Sequence, residues 1–263
     1  MSDFFYIDTH AHLDMLKKRS PESSVSESME ENVRYIINIG TDLDGCRKSL
    51  EYAEKFDNVF GSLGVHPHDA ENFNNETVKS IMEMYSGFEK RDKIVAIGET
   101  GFDYYRNLSS KKAQEIAFRS QIEIAMEYGL PVVVHSREAD EDMLKLLSEY
   151  ADEERFRAVV HCFSGPPSFA EKILELGLFI SFTGVITFPN AKKVREAVKV
   201  VPMERMFIET DSPFLAPQEH RGKENHPGFV KYVAQKISEI KEIKLEEVAE
   251  ATSKNAIEFF KLK

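Results

Sequence analysis

Eight times along the chain, a short run rich in Val, Ile and Phe gives way to a segment whose apolar residues recur at helical spacing. The runs cover residues 4–10, 35–40, 59–67, 94–101, 130–136, 157–165, 178–184 and 205–213, and they often close on Gly, Ser or Pro. Segments 42–56, 75–85, 111–129, 138–152, 167–177 and 190–201 read as helices between them, and 228–242 and 245–262 follow the eighth run. Segment 111–129 ends on Gly129, a residue suited to stop a helix. The first connection, 15–34, is polar and serine-rich at its start and has the least regular helical pattern. Strands joined by helices lie parallel, because a parallel neighbour is reached only by a long crossover. Eight such units in 263 residues predict one α/β domain, 1–263, folded as a (β/α)8 TIM-type barrel. An open doubly wound sheet is the alternative. No Gly-rich dinucleotide fingerprint follows the first run, which weakens it.

Composition removes several classes of function. Hydrophobic residues make up 42% of the chain, enough for a large core, yet no run reaches the ~18 apolar residues of a membrane span. The start, MSDFFYIDTH, has no basic stretch leading into an apolar one, so a cytoplasmic protein is expected, with no membrane association and no obligate protein partner. Cys46 and Cys162 form no CxxC pair, and Cys162 is expected to be a small buried hydrophobe. A net charge of −11 argues against a protein that grips nucleic acid by broad phosphate neutralisation. It leaves room for an enzyme that holds one or two phosphates with cations and a few arginines.

The eight histidines are not scattered. His10, His12, His66, His68, His135 and His161 fall at or just past the end of a predicted strand, and His220 and His226 in the loop after the eighth; none is on a predicted helix. Barrel enzymes gather their catalytic groups at those strand ends. Residues i and i+2 of a strand share a face, so His10 and His12 aim together and offer half of a four-ligand metal set. Glu99, His135, His161 and Asp211 also follow apolar runs, and burying any of them unpaired is costly. Six such donors exceed one open zinc site and suit two adjacent divalent cations sharing a carboxylate.

The segments DTHAHLD (8–14), GVHPH (64–68), IGETGFDYY (97–105), PVVVHSREA (131–139), VVHCFSG (159–165), ISFTG (180–184), IETDSPFLAP (208–217) and HRGKENHPGFV (220–230) carry a further signal. In this order they resemble the TatD-family metal-dependent deoxyribonucleases of the metallo-dependent hydrolase superfamily. The resemblance implies that His10, His12, Glu99 and Asp211 hold one metal, and that Glu99 bridges to a second bound by His135 and His161. It implies hydrolysis of phosphodiester bonds in DNA, often from the 3′ end of single strands, with the DNA bound transiently.

On that expectation Asp211 is both ligand and general base toward the attacking water, with Glu99 as its catalytic partner between the ions. Glu209, on the same face as Asp211 if the strand alternates, orients a ligand or the substrate. His66 and His68 are candidates to contact phosphate or the leaving group. Arg221 and Lys223, after the eighth strand, are phosphate candidates, and Arg106 and Arg137 stand behind them. Lys192, Lys193 and Arg195 read as a solvated helix face. Phe102, Tyr104 and Tyr105 either stack on a base or cover the rim. The metals are Mg, Mn or Zn; histidine with carboxylate suits several ions, while Mg prefers oxygen. A metallohydrolase of a small ester, lactone, amide or phosphate is the competing reading, and the acidic charge leans toward it.

Overall fold

The structure is a computed structural model and describes residues 4–263; Met1–Asp3, the start of the stretch read above for a leader, lie outside the described residues. The strands run in chain order, β1 to β8, in one sheet, and a parallel bridge between Ala11 and Ser212 joins the segment after β8 to β1. This is the topology of a (β/α)8 barrel. No helix among the described residues is long and apolar enough to cross a membrane. The chain divides into two compact units.

The first unit comprises 4–38, Cys162–Leu174 and Phe179–Lys263. It holds β1 (Tyr6–Ala11), β2 (Val33–Asn38), β7 (Phe179–Phe182) and β8 (Met206–Ile208). Its helices are α1 (Pro21–Glu30), α6 (Pro167–Glu175) but for its last residue, α7 (Lys192–Val200), α8 (Val230–Lys241) and α9 (Leu245–Phe260). α1 lies in the irregular first connection. Ser20 caps it by accepting the Ser23 N–H, with Pro21 in the first turn where its missing N–H has no partner to lose. β1 pairs with β2 and β7 with β8, all parallel. Phe207 of β8 stacks on Phe179 and meets Phe259 and Phe260 of α9, so the C-terminal helix seals the outer face of the β7–β8 pair.

The second unit comprises Ile39–His161 and Glu175–Leu178. It holds β3 (Val59–Leu63), β4 (Ile94–Asp103), β5 (Val132–Arg137) and β6 (Ala158–Val160). Around them lie α2 (Leu43–Lys55), α3 (Asn75–Gly87), α4 (Lys111–Tyr128) and α5 (Asp140–Tyr150). Two buried glutamines of α4 fix the loops above the strands. Gln121 exchanges two hydrogen bonds with the Val65 backbone and donates to Thr100 Oγ1. Gln114 accepts the Asp103 N–H and donates to the Ser109 carbonyl.

Several strands differ from expectation at their ends. β6 stops at Val160 and β8 at Ile208, well before the apolar-to-polar runs 157–165 and 205–213 finish. Left-handed backbone angles follow at Cys162 and Asp211, φ +46° and +55°. β4 runs on to Asp103, so Glu99 lies within it rather than at its end. His68 and His220 each lie in a short 3-10 turn, not in open loop.

Candidate metal-binding clusters

In the first unit the HxH motif and Asp211 converge. His10 is in β1 and His12 follows it; both rings are buried. The Asp211 N–H donates to the His10 carbonyl at 2.9 Å and the His12 N–H to the Ser212 carbonyl at 2.8 Å, which holds the loop after β8 against β1. His10 Nε2 and His12 Nε2 lie 3.1 Å apart, and Asp211 Oδ1 is 3.6 and 3.4 Å from them. Four donors about 2.0–2.1 Å from a tetrahedral cation stand about 3.3 Å from each other. The three atoms therefore already have the mutual spacing of ligands to one ion.

Behind this set lies Asp8, fully buried in β1. Its carboxyl accepts from Thr210 N at 2.8 Å, Thr210 Oγ1 at 2.5 Å and His10 N at 3.3 Å. Burial pushes its pKa up to about 8, with Thr210 and His10 opposing and Glu209 adding to the rise. Glu209 is also buried; it accepts the Cys162 N–H at 2.6 Å and the Thr9 hydroxyl at 3.4 Å. Both Glu209 and Asp211 lie beyond β8, and Asp211 has a left-handed backbone. Strand alternation therefore does not govern their directions.

In the second unit Glu99 is the centre. Gly98 precedes it with φ +128°, and a Cβ there would come within 2.5 Å of the Val133 carbonyl oxygen; only glycine lets β4 pass this close to β5. Glu99 Oε1 lies 2.7 Å from both His135 Nδ1 and His161 Nε2, and 3.4 Å from His66 Nε2. One donor from each of His66, Glu99 and His135 lies within 4.8 Å of the others, a spacing able to enclose a cation. The other nitrogen of His135 faces Asp103 Oδ2 at 3.2 Å, and His68 Nε2 meets the same oxygen at 2.8 Å.

The electrostatics show what this arrangement asks for. Burial pulls the His135 pKa down, but hydrogen bonds to Asp103 and Glu99 outweigh it and the net shift is upward. Burial would raise Asp103; hydrogen bonds from His135, the Arg106 N–H and His68 overcome this and hold it well below the usual carboxylate range. His66 moves the other way, down to about 4, chiefly from burial, against the pull of Glu99. His135 presents both nitrogens to carboxylates, a demand met by an imidazolium or by a neutral ring with a cation on one nitrogen. A divalent cation on its Nδ1 side fits that demand, and Asp103 would then orient the ring from behind.

The sequence reading missed Asp8, Asp103 and Gln114. Asp103 had a signal, since Glu99, Gly101 and Asp103 alternate onto one face of β4. Asp8 had the same relation to His10. The remaining candidates are dispersed. Arg221 and Lys223 are exposed in the loop after β8, with the Arg221 guanidinium over the Phe188 ring at 4.6 Å. Neither has a described hydrogen bond or ion pair to His10, His12 or Asp211. Phe102 is buried against Phe118 and cannot stack on a ligand. Lys192 and Lys193 are exposed, but Arg195 is not part of a solvated face: its guanidinium donates to the carbonyls of Ile186, Phe188 and Pro189. Cys162 is half-buried, and Cys46 alone is the buried thiol.

A model of the TatD related DNase family matches residues 7–261. The chain belongs to that family. It is 39% identical over 256 residues to YabD of Bacillus subtilis strain 168, named an uncharacterized metal-dependent hydrolase, which covers 97% of this chain and 98% of the relative. YcfH of Escherichia coli K12, named likewise, is 36% identical over 260 residues, covering 97% and 96%. Among solved structures, the TatD homologue YjjV of E. coli K12 superposes with a TM-score of 0.91 at 28% identity, over 98% of each chain. In this TatD-family chain both donor clusters fall within the matched residues.

Proposed function

We propose that the chain is a metal-dependent hydrolase that cleaves phosphodiester bonds in DNA, from the 3′ end of single strands. The observation that carries this reading is Glu99 Oε1, 2.7 Å from two histidine nitrogens, in a chain whose HxH motif and Asp211 form a second donor set. The family description and the relatives' names support hydrolysis with a metal. His10, His12 and Asp211 would hold one divalent cation and Glu99, His135 and His161 a second, each of them Mg, Mn or Zn. Such ions neutralise the charge of a phosphodiester and make water more acidic. The reading also takes residues 1–263 as one domain, since a single family model spans both units.

The chain's own residues then have separable tasks. Asp211 has 15% of its side chain exposed, against 0% for His10 and 4% for His12, so it is the member of its set most open to water. It takes the proton of the attacking water as general base. His66 Nδ1 accepts the His68 N–H, so its neutral ring carries hydrogen on Nε2. That N–H points toward Glu99 and donates to a phosphate oxygen when substrate enters. His68, paired to Asp103, supports the same region. Glu209 holds the backbone of Cys162, next in the chain after His161. Arg221 and Lys223 are the exposed cations for flanking phosphate.

The test is a digestion of 5′- and 3′-labelled single strands by the metal-loaded and the chelated protein, beside a panel of lactones, amides and phosphate esters. Shortening from the 3′ end, lost on chelation and restored by Mg²⁺ or Mn²⁺, is expected. Turnover of a small ester or lactone with no shortening of DNA overturns the substrate class.

A further inference from the structure

We propose that Tyr105, Arg106 and Arg137 form a ledge that binds single-stranded DNA, stacking one base on Tyr105 and taking the adjoining phosphates on the two guanidiniums. The inference rests on the deoxyribonuclease reading and names the part of the chain that recognises the strand. Tyr105 is 55% exposed, although an aromatic ring loses free energy by facing water. Its ring has the Arg137 guanidinium 4.1 Å from the centroid and that of Arg106 at 6.0 Å.

Neither arginine pairs with a carboxylate among the described residues. Two guanidiniums without a carboxylate partner, one of them over a ring that is still 55% exposed, match the two features of a single strand, phosphate charge and a free base face. A duplex offers the charge but hides the base faces in its stack, so the ledge selects single strands.

The neighbouring aromatics are already engaged. Phe102 is buried, and the Tyr104 hydroxyl donates to Asp142 while Lys111 covers its ring at 3.8 Å. The ledge is tied to the second cluster by the backbone. The Arg106 N–H donates to Asp103 Oδ1 at 2.7 Å, and the Tyr104 N–H to the Arg137 carbonyl at 2.9 Å. Arg137 follows His135 by two residues in β5, so it shares that face about 7 Å further along.

The experiment measures kcat and KM on a labelled thymidine decamer, over a range of salt, for wild type, Tyr105→Ala, Tyr105→Trp and the double variant Arg106→Ala/Arg137→Ala. Tyr105→Ala should raise KM about tenfold with kcat within about twofold, and Tyr105→Trp should recover wild-type KM. The double variant should lower the slope of log KM against log salt by about 1.4, at roughly 0.7 per phosphate contact. All three side chains are exposed, and melting curves check that the variants fold. An unchanged KM in Tyr105→Ala, or Tyr105→Trp as weak as Tyr105→Ala, overturns the ledge while leaving the nuclease intact. A wild type that leaves the decamer whole but hydrolyses bis(p-nitrophenyl) phosphate overturns the nuclease reading, and the ledge with it.

Discussion

Asp103 Oδ2 stands 3.2 Å from His135 Nε2, on the side of the ring opposite the nitrogen that faces Glu99. A carboxylate behind a ligating histidine fixes its tautomer and direction, and losing such a partner weakens metal affinity or activity by about 10- to 100-fold. Asp103→Asn keeps the shape and removes the charge. It should bind Mn²⁺ about 10- to 100-fold more weakly in a titration, with its far-UV circular dichroism unchanged. Wild-type affinity would show that the Asp103 carboxylate serves only to fix the loop through the Arg106 N–H.

Gly101 of β4 pairs with His135 of β5 beside Asp103. It has φ +140°, and a Cβ there would stand 2.1 Å from the His135 carbonyl oxygen. Gly101→Ala forces a disfavoured backbone angle and a clash with main chain at once. Destabilisation of more than about 3 kcal/mol is expected, read as a drop in the urea midpoint. A shift below about 1 kcal/mol would mean that β5 yields at that point.

Much of this architecture was visible as alternation of pattern, and the places where it was not have identifiable causes. The apolar runs leading into His161 and Asp211 look continuous with the loops that follow. The strands end at Val160 and Ile208, and the left-handed angles that follow at Cys162 and Asp211 leave no mark on the apolar pattern. Asp103 lies on the same face of β4 as Glu99, but it stands between Phe102 and Tyr104 and does not close an apolar run as Glu99 does. Arg195 sits on an exposed-looking helical stripe, yet its guanidinium satisfies three carbonyls of the preceding turn, a demand set by tertiary geometry. The donor residues themselves were legible because buried ionisable groups after apolar runs require partners.

His226 gives the stability a defined pH dependence. It is 4% exposed, and its pKa is lowered to about 4, by burial first and Arg19 next, with Glu27 and Glu31 opposing. The unfolded chain, near 6.5, binds the proton more readily than the folded one. Stability from this group is therefore complete above about pH 6.5 and is lost as the pH falls toward 4, by about 3 kcal/mol in all. Urea melts of wild type and His226→Gln between pH 4 and 7.5 should show a shallower loss in the variant. Parallel curves would remove His226 as the cause.

The central claim is that these donors hold divalent cations, and metal content tests it most directly. Protein loaded with Mn²⁺ and desalted should carry two equivalents per chain by elemental analysis, and Glu99→Gln should carry fewer than two. A folded wild type that retains one equivalent or none, or a Glu99→Gln protein that still retains two, would contradict the account.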